Sequence, residues 1–237
     1  MEIIAICNSD YGNGVPDLPG VANDAILWRE RGATVYENCD HDYMLEIMSD
    51  ACEPDTMFVY CGHGFRMTSP TGDVIAGLVP IGYGSNKKLV TKQALQSRLE
   101  GCALVVLDCC YAQAMTRSLN ATARGVSLSF NPSAVDTAGQ SLIEEKCRST
   151  TDSVGSDTDS CTHWLLGADD HNLAWELDVA GRRHGLLTAT LELVRQSALC
   201  NWDVARRVAS GISTDYCPMN LVGNDRALAR LMQFNVL

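Results

Sequence analysis

Two short segments constrain this chain more than any other feature. Met57-Phe58-Val59-Tyr60 and Ala103-Leu104-Val105-Val106-Leu107 are nearly unbroken apolar runs. A strand with one wet face alternates apolar and polar residues, so unbroken runs suit strands covered on both faces, as in a mainly parallel sheet. They sit within candidate strands Thr56–Cys61 and Cys102–Leu107; further candidates are Glu2–Cys7, Ala33–Glu37, His163–Gly167 and Met232–Val236. Helices are predicted between them over Val21–Arg31, Asp42–Ala51, Thr91–Leu99, Gly185–Ala198 and Asn201–Ile212, with Asp42 and Thr91 as N-terminal caps. This alternation predicts the α/β class: a three-layer α-β-α sandwich, with a mainly parallel central sheet and helices on both faces.

In such a sheet, ligands bind beyond the carboxyl ends of the strands. One apolar run ends in Cys61-Gly62-His63-Gly64 and the other in Asp108-Cys109-Cys110-Tyr111. Both therefore deliver reactive side chains to the same edge. A neutral imidazole accepts a proton near neutral pH, and a thiol becomes a nucleophile once its proton is removed. In extended backbone, residues two apart share a face, so Asp108 and Cys110 are expected on one side and Cys109 on the other. Alone, His63 reads equally as a structural histidine, and Cys109-Cys110 as two buried cysteines closing a strand.

Charge and cysteine usage narrow the classes. A net charge of −11 argues against nucleic-acid binding, which needs basic patches, and is compatible with a cationic substrate. The 11 cysteines include no C-x-x-C pair, so zinc and thioredoxin signatures are absent and most cysteines are expected to be small buried hydrophobes. No metal site is expected. No apolar run approaches the roughly 18–20 residues needed to cross a bilayer, and Met1–Cys7 lacks the features of a signal peptide. The expectation is a cytoplasmic protein without a membrane partner.

The two strand ends also resemble a known family. Val59-Tyr60-Cys61-Gly62-His63-Gly64 is similar to the Ser-Gly-His-Gly motif of metacaspases, which share the caspase/hemoglobinase fold. Val105-Val106-Leu107-Asp108-Cys109-Cys110-Tyr111-Ala112 resembles their Asp-x-Cys-His-Ser-Gly motif. The 47 residues from His63 to Cys110 agree with the spacing of about 50 in caspases. Leu18-Pro19-Gly20-Val21-Ala22-Asn23-Asp24-Ala25 resembles the Leu-x-Gly-Cys-x-Asn-Asp segment. Leu166-Gly167-Ala168-Asp169-Asp170 and Gly185-Leu186-Leu187-Thr188 resemble the small-subunit pattern. Together these segments span roughly residues 2–200.

The resemblance implies a cysteine endopeptidase. His63 would take the proton of Cys110, the thiolate would form an acyl-enzyme, and the N–H groups of Gly64 and Cys110 would hold the oxyanion. No cofactor is required for that chemistry. Asp24 and Asp108 fall on the family's pocket acids, which implies a peptide or protein substrate with Arg or Lys before the cut bond. Cys61, Ala168 and Asp169 are implied at the substrate rim, with Asp170 beside them. Residues 8–20 contain no Lys or Arg, so cleavage after Asp is not expected.

The sequence departs from that family in several places. Tyr111-Ala112-Gln113 replaces His-Ser-Gly after the nucleophile, Cys61 stands where Ser is usual, and Val21 replaces Cys. The stretch Thr71–Tyr83, where calcium-dependent members carry several aspartates, has only Asp73; a calcium requirement is not expected, and calcium activation stays open. By resemblance the chain is one caspase-like domain over residues 1–237: a large-subunit-like part at 1–117, a Ser/Thr-rich exposed connector at 118–161 and a small-subunit-like part at 162–237. Arg124, Lys146 and Arg148 in the connector are candidate autoprocessing points. Two alternatives stay open: an inactive homologue acting as a binding or regulatory module, and a related peptidase with different specificity.

Overall fold

The computed structural model describes residues 2–51, 53–69, 71–112, 162–168, 174–179, 181–195, 204–205, 207–209, 222–223 and 225–234. Its centre is a five-stranded sheet of β1 (Glu2–Cys7), β2 (Thr34–Glu37), β3 (Thr56–Cys61), β7 (Leu104–Asp108) and β8 (His163–Leu166). The order is β2-β1-β3-β7-β8, and every pairing is parallel. The two apolar runs are its central strands. All six residues of β3 and all five of β7 are buried, as coverage on both faces requires.

Alternation along the strands builds two cores. One face carries Ile3, Ala5, Met57, Val59 and Val106 beneath α1 (Pro19–Glu30), α5 (Leu186–Arg195) and α6 (Asp225–Gln233). The other carries Ile4, Ile6, Phe58, Val105 and Leu107 beneath α2 (His41–Asp50) and α4 (Lys92–Leu99). Burying one such side chain stabilises the fold by about 1.5–3 kcal/mol, so the two faces supply most of the cohesion. The three-layer arrangement is the one expected.

The helices begin close to where capping chemistry puts them. Thr91 caps α4 through the Ala94 N–H at 3.3 Å. The cap of α2 is Asp40, which accepts from the Tyr43 N–H at 3.0 Å. Asp42, expected in that role, lies inside the first turn and pairs with His41.

Met232–Val236, expected as a strand, is corrected: the chain is helical through Gln233 and turns at Phe234, residues 235–236 lying outside the described residues. Ala227, Leu228, Leu231 and Phe234 recur at three- and four-residue steps and are all buried, a helical face that outweighs the short apolar ending. The expected helix Asn201–Ile212 is represented by helical residues 204–205 and 207–209.

Two antiparallel units add to the central sheet. One comprises β4 (Gly64–Thr68), β5 (Val74–Leu78) and β6 (Val90–Thr91), followed after β5 by the short α3 (Tyr83–Asn86). The other is the hairpin of β9 (Glu176–Val179) and β10 (Arg182–Gly185), which packs on α1. Among the described residues, no helix is long and apolar enough to cross a membrane.

Candidate active site

Register brings the reactive residues level with one another. Cys7 pairs with Cys61, and Cys61 with Asp108, so three adjacent strands end on one row. Cys109 turns into the core beneath α2 and α4, and Asp108 faces the opposite layer, as alternation requires. Cys110 follows in a partly exposed turn. Tyr111 takes a left-handed backbone with φ of 56°. Tyr111 is not a glycine, and that conformation costs it about 1–2 kcal/mol.

The loop carrying His63 touches the one carrying Cys110 at Gly64. A Cβ on residue 64 would overlap the carbonyl oxygen of Cys110, so only glycine permits the approach. Backbone hydrogen bonds at Ala174, Cys110 and Gly64 favour the thiolate of Cys110. Burial outweighs them and raises the thiol's pKa, and Asp108 adds to that rise. The thiol donates to the Ala174 carbonyl at 3.8 Å, not to the imidazole. Gly64→Ala is expected to destabilise the protein by about 1–3 kcal/mol through overpacking, measurable as a lowered urea midpoint with unchanged slope.

His63 is held from three sides. Its Nε2 lies 2.8 Å from the Pro16 carbonyl; a carbonyl only accepts, so Nε2 carries the proton and Nδ1 is the free base. Its backbone N–H donates to the Tyr11 hydroxyl at 2.8 Å, and the Tyr11 ring packs against the imidazole with centroids 4.7 Å apart. Tyr11 in turn bonds the hydroxyl of Tyr60, which reaches the His63 and Val79 carbonyls. Burial lowers the pKa of His63, opposed by Pro16 and by the charge of Asp17, so the ring is neutral near pH 7.

Asp24, Cys61 and Asp108 converge behind these loops, each offering a ligand atom within 4.8 Å of the others. Asp24 accepts from His184 Nδ1 at 2.9 Å and from the Gly185 N–H at 3.1 Å. Burial nevertheless pushes its carboxyl up to about 7, with repulsion from Asp108 contributing. Asp108 accepts from the N–H and hydroxyl of Thr188 at 2.8 and 2.7 Å, and so caps the first turn of α5. Burial raises its pKa too. Cys61 lies 3.7 Å from the Thr188 hydroxyl, and its thiol pKa is raised most by its hydrogen bond to Cys7 and by burial. These three are the one grouping with metal-ligand spacing among the described residues. Both carboxylates there are already engaged by protein donors.

Ala168 is fully buried beside Gly167, where a Cβ would lie 2.8 Å from an Asp108 oxygen. Asp169, Asp170 and the whole of 118–161 lie outside the described residues. Asp73 is engaged in its own turn, accepting from the Thr71 hydroxyl at 2.6 Å.

A model of the caspase domain matches residues 3–209. The chain belongs to the caspase domain family. Among solved structures, a Geobacter sulfurreducens protein aligns over 96% of this chain and 97% of its own, with a TM-score of 0.55 and 16% identity. Caspase-1 of Spodoptera frugiperda aligns over 94% and 85%, with a TM-score of 0.53 and 9% identity. At such identities the likeness concerns the fold alone. No curated protein sequence matches the chain significantly. In this caspase domain, Tyr11, the Pro16 carbonyl, His184 and Thr188 join the site without having been anticipated. Only Thr188 carried a sequence signal, as the last residue of Gly185-Leu186-Leu187-Thr188.

Proposed function

We propose that this caspase domain is a metacaspase-like cysteine endopeptidase acting on protein or peptide substrates after Arg or Lys. The observation that carries the reading is the junction at Cys110: the glycine after His63 packs directly on the Cys110 backbone, with the buried carboxylates of Asp24 and Asp108 converging behind it. The Cys110 proton passes to His63 Nδ1, the sulfur attacks the substrate carbonyl carbon, and the Gly64 and Cys110 N–H groups hold the oxyanion. His63 returns the proton to the leaving amine as the C–N bond breaks, and water hydrolyses the thioester. Asp24 and Asp108 supply the negative field that favours a cationic side chain.

The deciding assay is a panel of fluorogenic peptides with Arg, Lys, Asn or Asp before the bond, with and without calcium. Selective turnover of the Arg and Lys members is expected, with no calcium requirement. Turnover of the Asp peptide alone would remove the acidic-pocket assignment.

A second reading, an inactive homologue serving as a binding module, is favoured by the Cys110 thiol donating to Ala174 instead of to His63. Catalytic hydrogen bonds often tighten only with substrate bound, so that geometry is compatible with an enzyme. Labelling of Cys110 by an electrophilic peptide, lost in His63→Ala, separates the two.

A further inference from the structure

Asp24 and Asp108 have their carboxylates occupied by His184, Gly185 and Thr188. A substrate cation would have to displace those donors or reach a carboxylate with an oxygen still unpaired. The β9–β10 hairpin provides one. Glu176 pairs directly with Gly185, and residues opposite one another in an antiparallel pair project to the same face. At Gly185 that face is turned to Asp108: a Cβ there would overlap its carboxylate. Glu176 therefore projects toward Asp108, whose charge repels its own.

Its surroundings are unlike those of the two aspartates. Glu176 Oε1 is buried without a hydrogen-bond partner, an arrangement that leaves a strong acceptor unused. It lies over Gly20 at the start of α1, where a Cβ would be 2.7 Å from Oε1. Burial raises the pKa of its carboxyl, opposed by the charge of Arg183 and by hydrogen bonds from the Gly20 and Val21 N–H groups to the carboxylate. Ala174, whose carbonyl takes the Cys110 thiol, is only two residues away. Two residues of extended chain span about 6.6 Å, comparable to an extended arginine side chain.

We propose that Glu176 is the specificity-determining carboxylate that directly receives the substrate's basic side chain, with Asp24 and Asp108 as the charged floor behind it. The assignment rests on the peptidase reading above. It differs from a purely structural role for Glu176 at the start of α1, which would affect stability and leave substrate choice alone.

The test compares matched peptides carrying arginine or its neutral isostere citrulline before the cut bond, assayed with the wild-type protein and Glu176→Gln. Thermal unfolding would verify that the variant is folded. The expected result is a fall of about 10–100-fold in the arginine-to-citrulline ratio of kcat/KM, chiefly through KM. If Glu176→Gln does not fold, Gly20→Ala, which crowds Oε1 and keeps the charge, should lower the same ratio. A folded variant with the wild-type ratio would overturn the role of Glu176 and leave the peptidase reading standing. Equal use of both peptides by the wild-type protein, or no turnover of either, would overturn the parent reading and this assignment with it.

Discussion

Cys110→Ala is expected to lower kcat/KM on basic peptides by about 10⁴-fold or more, because no other described thiol can take its place. Cys109 is the adjacent candidate, yet it is buried in the opposite core and burial raises its pKa well above the ordinary range. Cys109→Ala should therefore retain turnover, at a modest cost in packing. His63→Ala should resemble Cys110→Ala, since groups acting as a unit give non-additive losses.

The pH profile follows from the same groups. His63 titrates below its usual range of about 6.5 and the Cys110 thiol above its own. The resting pair at pH 7 is thus imidazole and thiol, not an ion pair. Protonating His63 removes the base, so kcat should fall only below about pH 6.5. Asp24, with its carboxyl up at about 7, loses charge earlier as pH falls, so KM for arginine peptides should rise before kcat declines. Stopped-flow or initial-rate profiles of the two parameters, measured separately, check this order. Coincident limbs would count against it.

The second large effect is expected at Asp108. Its carboxylate is buried and accepts from the Thr188 N–H and hydroxyl and from the Leu187 N–H. Asp108→Ala strands those donors, each at about 1–3 kcal/mol, and removes charge from beside Cys110. A loss of roughly 3 kcal/mol or more is expected in denaturant unfolding, together with loss of preference for basic peptides. Asp108→Asn keeps an acceptor oxygen and should recover part of the stability without the charge. If Asp108→Asn retained full arginine preference, the charged floor would have no role in selection.

The parts of this architecture that were legible in the sequence depend on local, repeated signals. The apolar runs Met57–Tyr60 and Ala103–Leu107 announce doubly covered strands, and the residues ending them announce the edge where chemistry collects. The β9–β10 hairpin was missed because Glu176-Leu177-Asp178-Val179 and Arg182-Arg183-His184-Gly185 are short and mostly polar. Such segments lack the composition that marks strands. His184 lies 160 residues from Asp24, and no periodicity connects them. The carbonyls of Pro16 and Ala174 act through backbone atoms, which every residue carries, so side-chain patterns could not single them out. The resemblance singled out Asp24 and Asp108 as candidate pocket acids; their saturation by internal donors emerges only in three dimensions.

The strand order β2-β1-β3-β7-β8 has a kinetic consequence. Tyr11, His63 and Cys110 follow strands β1, β3 and β7, far apart in the chain and gathered by parallel pairings that close long loops. Loop closure entropy makes such pairings slow to form. Helices such as α2, stabilised by local bonds and a cap, can form much earlier. A refolding chain should therefore regain helical content well before it regains a reactive Cys110. If Cys110 is the nucleophile proposed above, it becomes competent only when the sheet closes, and the fold itself delays any proteolysis until assembly is complete.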